Sequence, residues 1–185
     1  MGLAVEQWAA LPSDDPRRPL FARALRVLAA REHGREELRK KLLIPPVPRR
    51  QRYGIDKKSG NNRAEQAKAA PPDADMLEDV LDALEREGYL SDERFAESFV
   101  NQRARRGHGP LRIKHDLQQK AVSSELIADV FAAAETDWFE LAVDVRCRKF
   151  GENLPTDFKE KARQMRFLQS RGFEMQHIQH ALQPE

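Results

Sequence analysis

His177 and His180 stand three residues apart, which on a helix places two imidazoles about one turn from each other, a spacing that metals can use. No cysteine accompanies them, so they read as ordinary helix-surface histidines, and neither a metal nor a cofactor is expected. His33 and His108 adjoin Gly34 and Gly109 and are expected in turns. Cys147 is the only cysteine, so an intramolecular disulfide is impossible. Between Val143 and Val145 on one side and a basic stretch on the other, it reads as a small core hydrophobe. The chain has no glycine-rich phosphate loop, no P-loop lysine and no nucleophile elbow. No catalytic residue is nominated.

The positive signal is cationic. Arg103, Arg105 and Arg106 close one expected helix, and Arg112 and Lys114 open the next. Arg146, Arg148 and Lys149 repeat this near residue 150, with Lys159, Lys161, Arg163 and Arg166 along the helix that follows. Arg26, Arg31 and Arg35, with Arg39, Lys40 and Lys41, do the same near the start. Any one such cluster is ordinarily a solvated face, or a complement to a helix dipole. Recurrence at three similar corners nominates Arg26, Arg31, Arg35, Arg103, Arg105, Arg106, Arg112, Lys114, Arg146, Arg148 and Lys149 as a surface for an anionic or acidic partner. Aromatic residues do not interleave with them, which counts against base stacking on a single strand.

These corners need helices to hold them, and the apolar spacing supplies helices. Phe21, Leu25 and Leu28 predict a helix over about 20–31, and Leu38 and Leu42 a short second one after Gly34. Leu77, Val80, Leu81 and Leu84 line a helix that begins at Asp75, with Glu78 at capping-box spacing, and ends at Gly88. Further helices are expected over about 92–106, 110–120, 124–134, 137–150, 157–170 and 174–182. Ser91 caps the first of these, Pro110 suits a first helical position, and Asp157 with Glu160 is another capping match.

The pattern repeats. Gly34, Leu38 and Leu42 match Gly109, Ile113 and Leu117 in spacing, and Leu117, Val122, Ile127 and Phe131 match Leu168, Phe173, Ile178 and Leu182. The pairs Leu90/Phe95, Val122/Ile127 and Phe173/Ile178 suggest one apolar staple at three helix entries. Sustained strand-like alternation is absent. The expected fold is all-α, with three tandem three-helix repeats in an elongated, curved array, a form that more often grips a partner than encloses a catalytic pocket.

Composition sets the remaining bounds. The chain has 185 residues, 32 basic against 30 acidic, so net charge does not announce nucleic-acid binding. The distribution is uneven: residues 75–97 carry nine acidic and two basic side chains, and 101–120 carry six basic and one acidic. Residues 45–74 hold five prolines, seven basic side chains and few aliphatics, and read as a disordered basic insertion. The expected organisation is a loose leader over 1–18, a first unit over 19–90 containing that insertion, a second over 91–135 and a third over 136–185. No secretory signal or membrane span is evident, and a soluble, cytoplasmic protein is expected.

Three stretches resemble the RecX family, bacterial regulators of the RecA recombinase. They are Ala24–Leu28 running into Arg31–Gly34 and Glu37–Leu42, then Leu84–Ala96 with its Gly88-Tyr89-Leu90 centre, and Phe167–Phe173. The likeness covers about 20–44 and 75–182 and departs from the family in the 45–74 insertion and at Ala121, where that turn often carries glycine. The resemblance implies a non-enzymatic protein of three tandem three-helix repeats forming a crescent, and a monomer is expected. It implies binding to the RecA filament on single-stranded DNA, with reduced ATPase and strand-exchange activity. The alternative is a direct DNA-binding protein of helix-turn-helix type, for which weak, salt-dependent contact with naked DNA is expected.

Overall fold

A computed structural model describes residue 12 and residues 14–44 and 71–183. Residues 1–11 and 13 of the expected leader and residues 45–70 of the expected insertion lie outside the described residues. Among those described there are nine helices and no strand, in two compact units, Met1–Ser91 and Asp92–Glu185.

The first unit contains α1 (Arg17–Leu28), α2 (Arg35–Leu43) and α3 (Ala74–Arg86). Leu20, Phe21 and Ala24 of α1 meet Leu38 and Leu42 of α2 and Leu77, Val80, Leu81 and Leu84 of α3, and Leu90 closes the cluster. Each buried leucine contributes roughly 1.5–3 kcal/mol of transfer free energy. The flank of α3 beside this apolar stripe is acidic and reaches α2. Arg35 reaches Glu78 (2.7 Å), Asp82 (2.6 Å) and Glu85 (2.5 Å), and Arg39 also bonds Glu78. Burial opposes the charge of Arg35, but its hydrogen bonds to Asp82 and Glu78 outweigh that and raise its pKa. Part of the acidic run is therefore an internal counter-charge to α2.

Local rules explain most of the helix ends and correct two expectations. The cap of α3 is Asp73, not Asp75: its carboxylate accepts from Met76 N at 3.3 Å, leaving Asp75 in the first turn. Helix α1 begins at Arg17, earlier than expected, where Asp15 accepts from the Arg17 backbone N–H (2.9 Å) and pairs with its guanidinium.

The second unit holds two cores. Helices α4 (Asp92–Arg105), α5 (Pro110–Gln119) and α6 (Ser124–Ala133) enclose Phe95, Phe99, Val100, Ile113, Leu117, Val122, Ile127 and Val130. Helices α7 (Trp138–Phe150), α8 (Phe158–Arg171) and α9 (Met175–Ala181) enclose Ala142, Val145, Leu168, Phe173, Ile178 and Leu182. Ser123, Asp137 and Asp157 cap α6, α7 and α8 through backbone N–H groups at 3.2, 2.9 and 2.8 Å. Leu117 and Leu168 occupy matching places. Each carbonyl accepts at 3.2 Å from the apolar residue five positions on, Val122 and Phe173, in a Schellman ending. The left-handed residue of that ending is Gly172 (φ 88°) after α8 but Ala121 (φ 62°) after α5. An alanine there costs about 1–2 kcal/mol in backbone strain.

The two cores are joined end to end. The N terminus of α5 sits on the C terminus of α8: Gly109 N donates to Arg171 O (2.8 Å) and Leu111 N to Gly172 O (3.0 Å). Donors and acceptors that both helices would leave unpaired satisfy each other. A Cβ on Gly109 would lie 2.4 Å from the Gly172 carbonyl, so only glycine allows the approach.

Candidate functional site

The structure sorts the nominated cations by the contacts they make within the protein, Arg26, Arg31 and Arg112 being engaged although exposed. In the first unit Arg35 is engaged with α3, Arg31 pairs with Glu37 (2.9 Å), and Arg26 donates to Ala22 O within its own helix. In the second unit Arg103 lies 3.4 Å from Asp116 and over the Phe99 ring, and Lys114 stands 4.9 Å from the Phe131 ring centroid. Arg112 donates to Ser170 O (3.2 Å), adding a third bond to the α5–α8 joint. Arg146 is 3% exposed. Its guanidinium donates to the carbonyls of Gly151, Glu152 and Asn153 and to Cys147 Sγ, so it clamps the loop after α7. It does not belong to a surface, and its place in the nominated set is corrected on that ground. Cys147 is half-buried beside that guanidinium and not within an apolar core.

Arg105, Arg106, Arg148 and Lys149 remain, all exposed. Among the described residues Arg105, Arg106 and Lys149 make no ion pair, whereas Arg148 makes an open one with Asp144 at 3.2 Å. Exposed pairs of that kind are worth about 0–1 kcal/mol and yield readily to a partner. The four line connected clefts. Arg105 and Arg106 border one of about 550 Å³; Arg105 and Arg148 border the next, about 360 Å³, with Thr136 and Leu141. Arg148 and Lys149 continue into a third with Val145, Phe167 and Arg171. Shared wall residues make these neighbouring clefts one shallow groove with five cations, and Leu141, Val145 and Phe167 supply apolar wall in the second and third.

Arg171, absent from the nominated set, enters because α8 ends beside α7. Its side chain rests on the Phe167 ring, 5.3 Å from the centroid. The available signal was a basic residue closing a helix ahead of Gly172, a pattern with an ordinary structural meaning. Guanidinium and ammonium groups held this way offer charge-assisted hydrogen bonds to carboxylates or phosphates.

His177 and His180 differ in their surroundings, the first buried and the second exposed. His177 is buried, correcting its expected place on a helix surface: its Nδ1 accepts from Glu174 N at 3.3 Å in a capping box at the start of α9, and Phe139 packs edge-on. Among the described residues no three His, Cys, Asp or Glu side chains are gathered as metal ligands. No helix among them is long and apolar enough to cross a membrane.

Three-helix cores repeated along the chain define an all-helical repeat protein. Comparisons with known proteins make this specific. The model for the second three-helix domain of RecX matches residues 91–130, and that for the third matches 135–182. The chain is 40% identical to the regulatory protein RecX of Serratia proteamaculans over 160 residues, 86% of this chain and 94% of that one. It is 41% identical to that of Cronobacter sakazakii over 170 residues, 89% and 93% of the two chains. The chain belongs to the RecX family. A crystal structure of regulatory protein RecX superposes with a TM-score of 0.64 at 19% identity, covering 97% of this chain and 77% of that one. RecX from Lactobacillus salivarius gives 0.63 at 18%, covering 90% and 94%, so the fold persists where identity is low.

Proposed function

We propose that this protein is a non-enzymatic modulator, mainly an inhibitor, of RecA. In this reading it binds as a monomer to the RecA filament on single-stranded DNA and reduces ATP hydrolysis and strand exchange, acting in DNA repair and recombination in the cytoplasm. Family membership across most of the chain carries the reading. The exposed groove of Arg105, Arg106, Arg148, Lys149 and Arg171 supplies a chemistry for contact. Similar units on one chain can engage successive protomers of a polymer, gaining affinity that a single free protomer would not provide.

The test is to titrate the protein into RecA filaments on single-stranded DNA while following ATP hydrolysis. A rate that falls and saturates is expected; a rate unchanged at saturating protein rejects the modulator assignment. Tight binding to bare duplex at physiological salt, with nothing added by RecA, would favour direct DNA binding instead.

A further inference from the structure

The groove changes sign along its length. Asn101 lines both the cleft that holds Arg105 and Arg106 and the one between Arg105 and Arg148. It also lines a fourth cleft of about 240 Å³ between α4 and α6, where the charged residues are Glu97 and Glu135. Val100, Val130, Ala133 and Ala134 make its remaining walls. Both carboxylates are exposed, and neither is paired with a cation among the described residues. Apolar walls with acidic edges suit a lysine or arginine, whose aliphatic stem can lie along them while the head meets the carboxylates. A cavity of this size falls below the roughly 300–1,000 Å³ of sites for small organic ligands, but it admits a single long side chain.

Nucleic acid does not match that order of charges. Its backbone is negative throughout, about one charge per 1.7 Å of duplex. A strand following the cations from Lys149 to Arg105 and on past Asn101 would bring phosphates against Glu97 and Glu135. Stacking offers no compensation, because Phe167 is the aromatic residue in these walls and Arg171 rests on its ring. A polypeptide can change sign within a few residues.

We propose that the occupant of this groove is a protein segment and not a nucleic-acid strand. Its carboxylates lie along Arg105, Arg106, Arg148, Lys149 and Arg171, and a basic residue is seated between Glu97 and Glu135. This rests on the reading that the groove engages the RecA filament, and it assigns that contact to protein.

The experiment compares the full chain with Glu97→Lys/Glu135→Lys and Glu97→Gln/Glu135→Gln, each shown by circular dichroism to keep its helicity. Binding to RecA filaments, and separately to the same single-stranded DNA without RecA, is followed by fluorescence anisotropy at two salt concentrations. The reversal is expected to weaken filament binding roughly tenfold, and the neutral pair by a few-fold, while binding to bare DNA stays the same or tightens. Filament binding that is unchanged, or that tightens in step with DNA binding, would overturn the proposal and make the groove a phosphate track. A wild-type chain that does not bind filaments would reject the functional reading itself, a distinguishable result.

Discussion

Arg146 and Arg148 lie two positions apart on α7, near Lys149, and their side chains have opposite surroundings. The Arg146 guanidinium is buried among three carbonyls of the loop that follows the helix, so the partial negative charge of the α7 C terminus and the loop dipoles balance it. The Arg148 side chain is 61% exposed and touches one equally open carboxylate. Arg146→Ala should cost about 2–3 kcal/mol in urea unfolding, because it removes a buried side chain together with the donors that hold the loop after α7. Arg148→Ala should cost no more than about 0.5 kcal/mol. Equal costs would mean that the loop clamp contributes nothing. Adjacent basic letters cannot reveal this difference, since the carbonyls that receive Arg146 take up position only when the chain turns at Gly151.

At the scale of elements, the α5–α8 joint links the two cores of the second unit. The run Arg106-Gly107-His108-Gly109 has the small-residue look of a ligand loop, yet its glycines are there for contact between helices. A Cβ on Gly107 would come within 2.8 Å of Val145 on α7, and Gly109 adjoins Gly172. Gly109→Ala should therefore lower stability by about 3 kcal/mol as the helix ends are forced apart. It should also speed hydrogen exchange at Gly109 N–H and Leu111 N–H, the two donors of the joint. Slow exchange retained in the variant would show that the joint tolerates the side chain. Helix positions were legible in the chain because their determinants are local: leucine spacing, an Asp or Ser cap, a left-handed residue after the last turn. The joint was not, because its partners are far apart in sequence.

For the molecule as a whole, three histidines, His33 and His177 buried and His108 half-buried, shape the response to acid. His33 lies between Arg31 O (2.8 Å) and Lys41 Nζ (2.7 Å), so it donates from Nδ1 and accepts at Nε2 as a neutral ring. His177 accepts at Nδ1 from a backbone N–H, with Glu174, Asp137 and Lys114 the charged groups nearby. His108 is flanked by Arg112, Arg103 and Arg171, with Asp116 the opposing charge. Burial, first of all, lowers the pKa of each below 6.5. The unfolded chain then binds more protons than the folded one in the window below pH 6.5, so stability is full above that pH and is lost on acidification. Thermal melts should show a falling midpoint from pH 7 to pH 5, with a shallower fall in His177→Gln. A midpoint independent of pH over that range would contradict neutral, buried rings.

The chain by itself determined the helices, their repetition and the family, since turns, caps and apolar spacing act over a few residues and leave a periodic record. It also showed that cations recur at helix corners. Only the tertiary structure decided which of them are tied to other parts of the protein. Arg35 is taken up by α3, Arg112 by the end of α8 and Arg146 by its own loop, whereas Arg105, Arg106, Arg148 and Lys149 are joined by Arg171 from another helix. A charge is free or bound according to what packs beside it, and packing brings together residues that the order of the chain keeps apart.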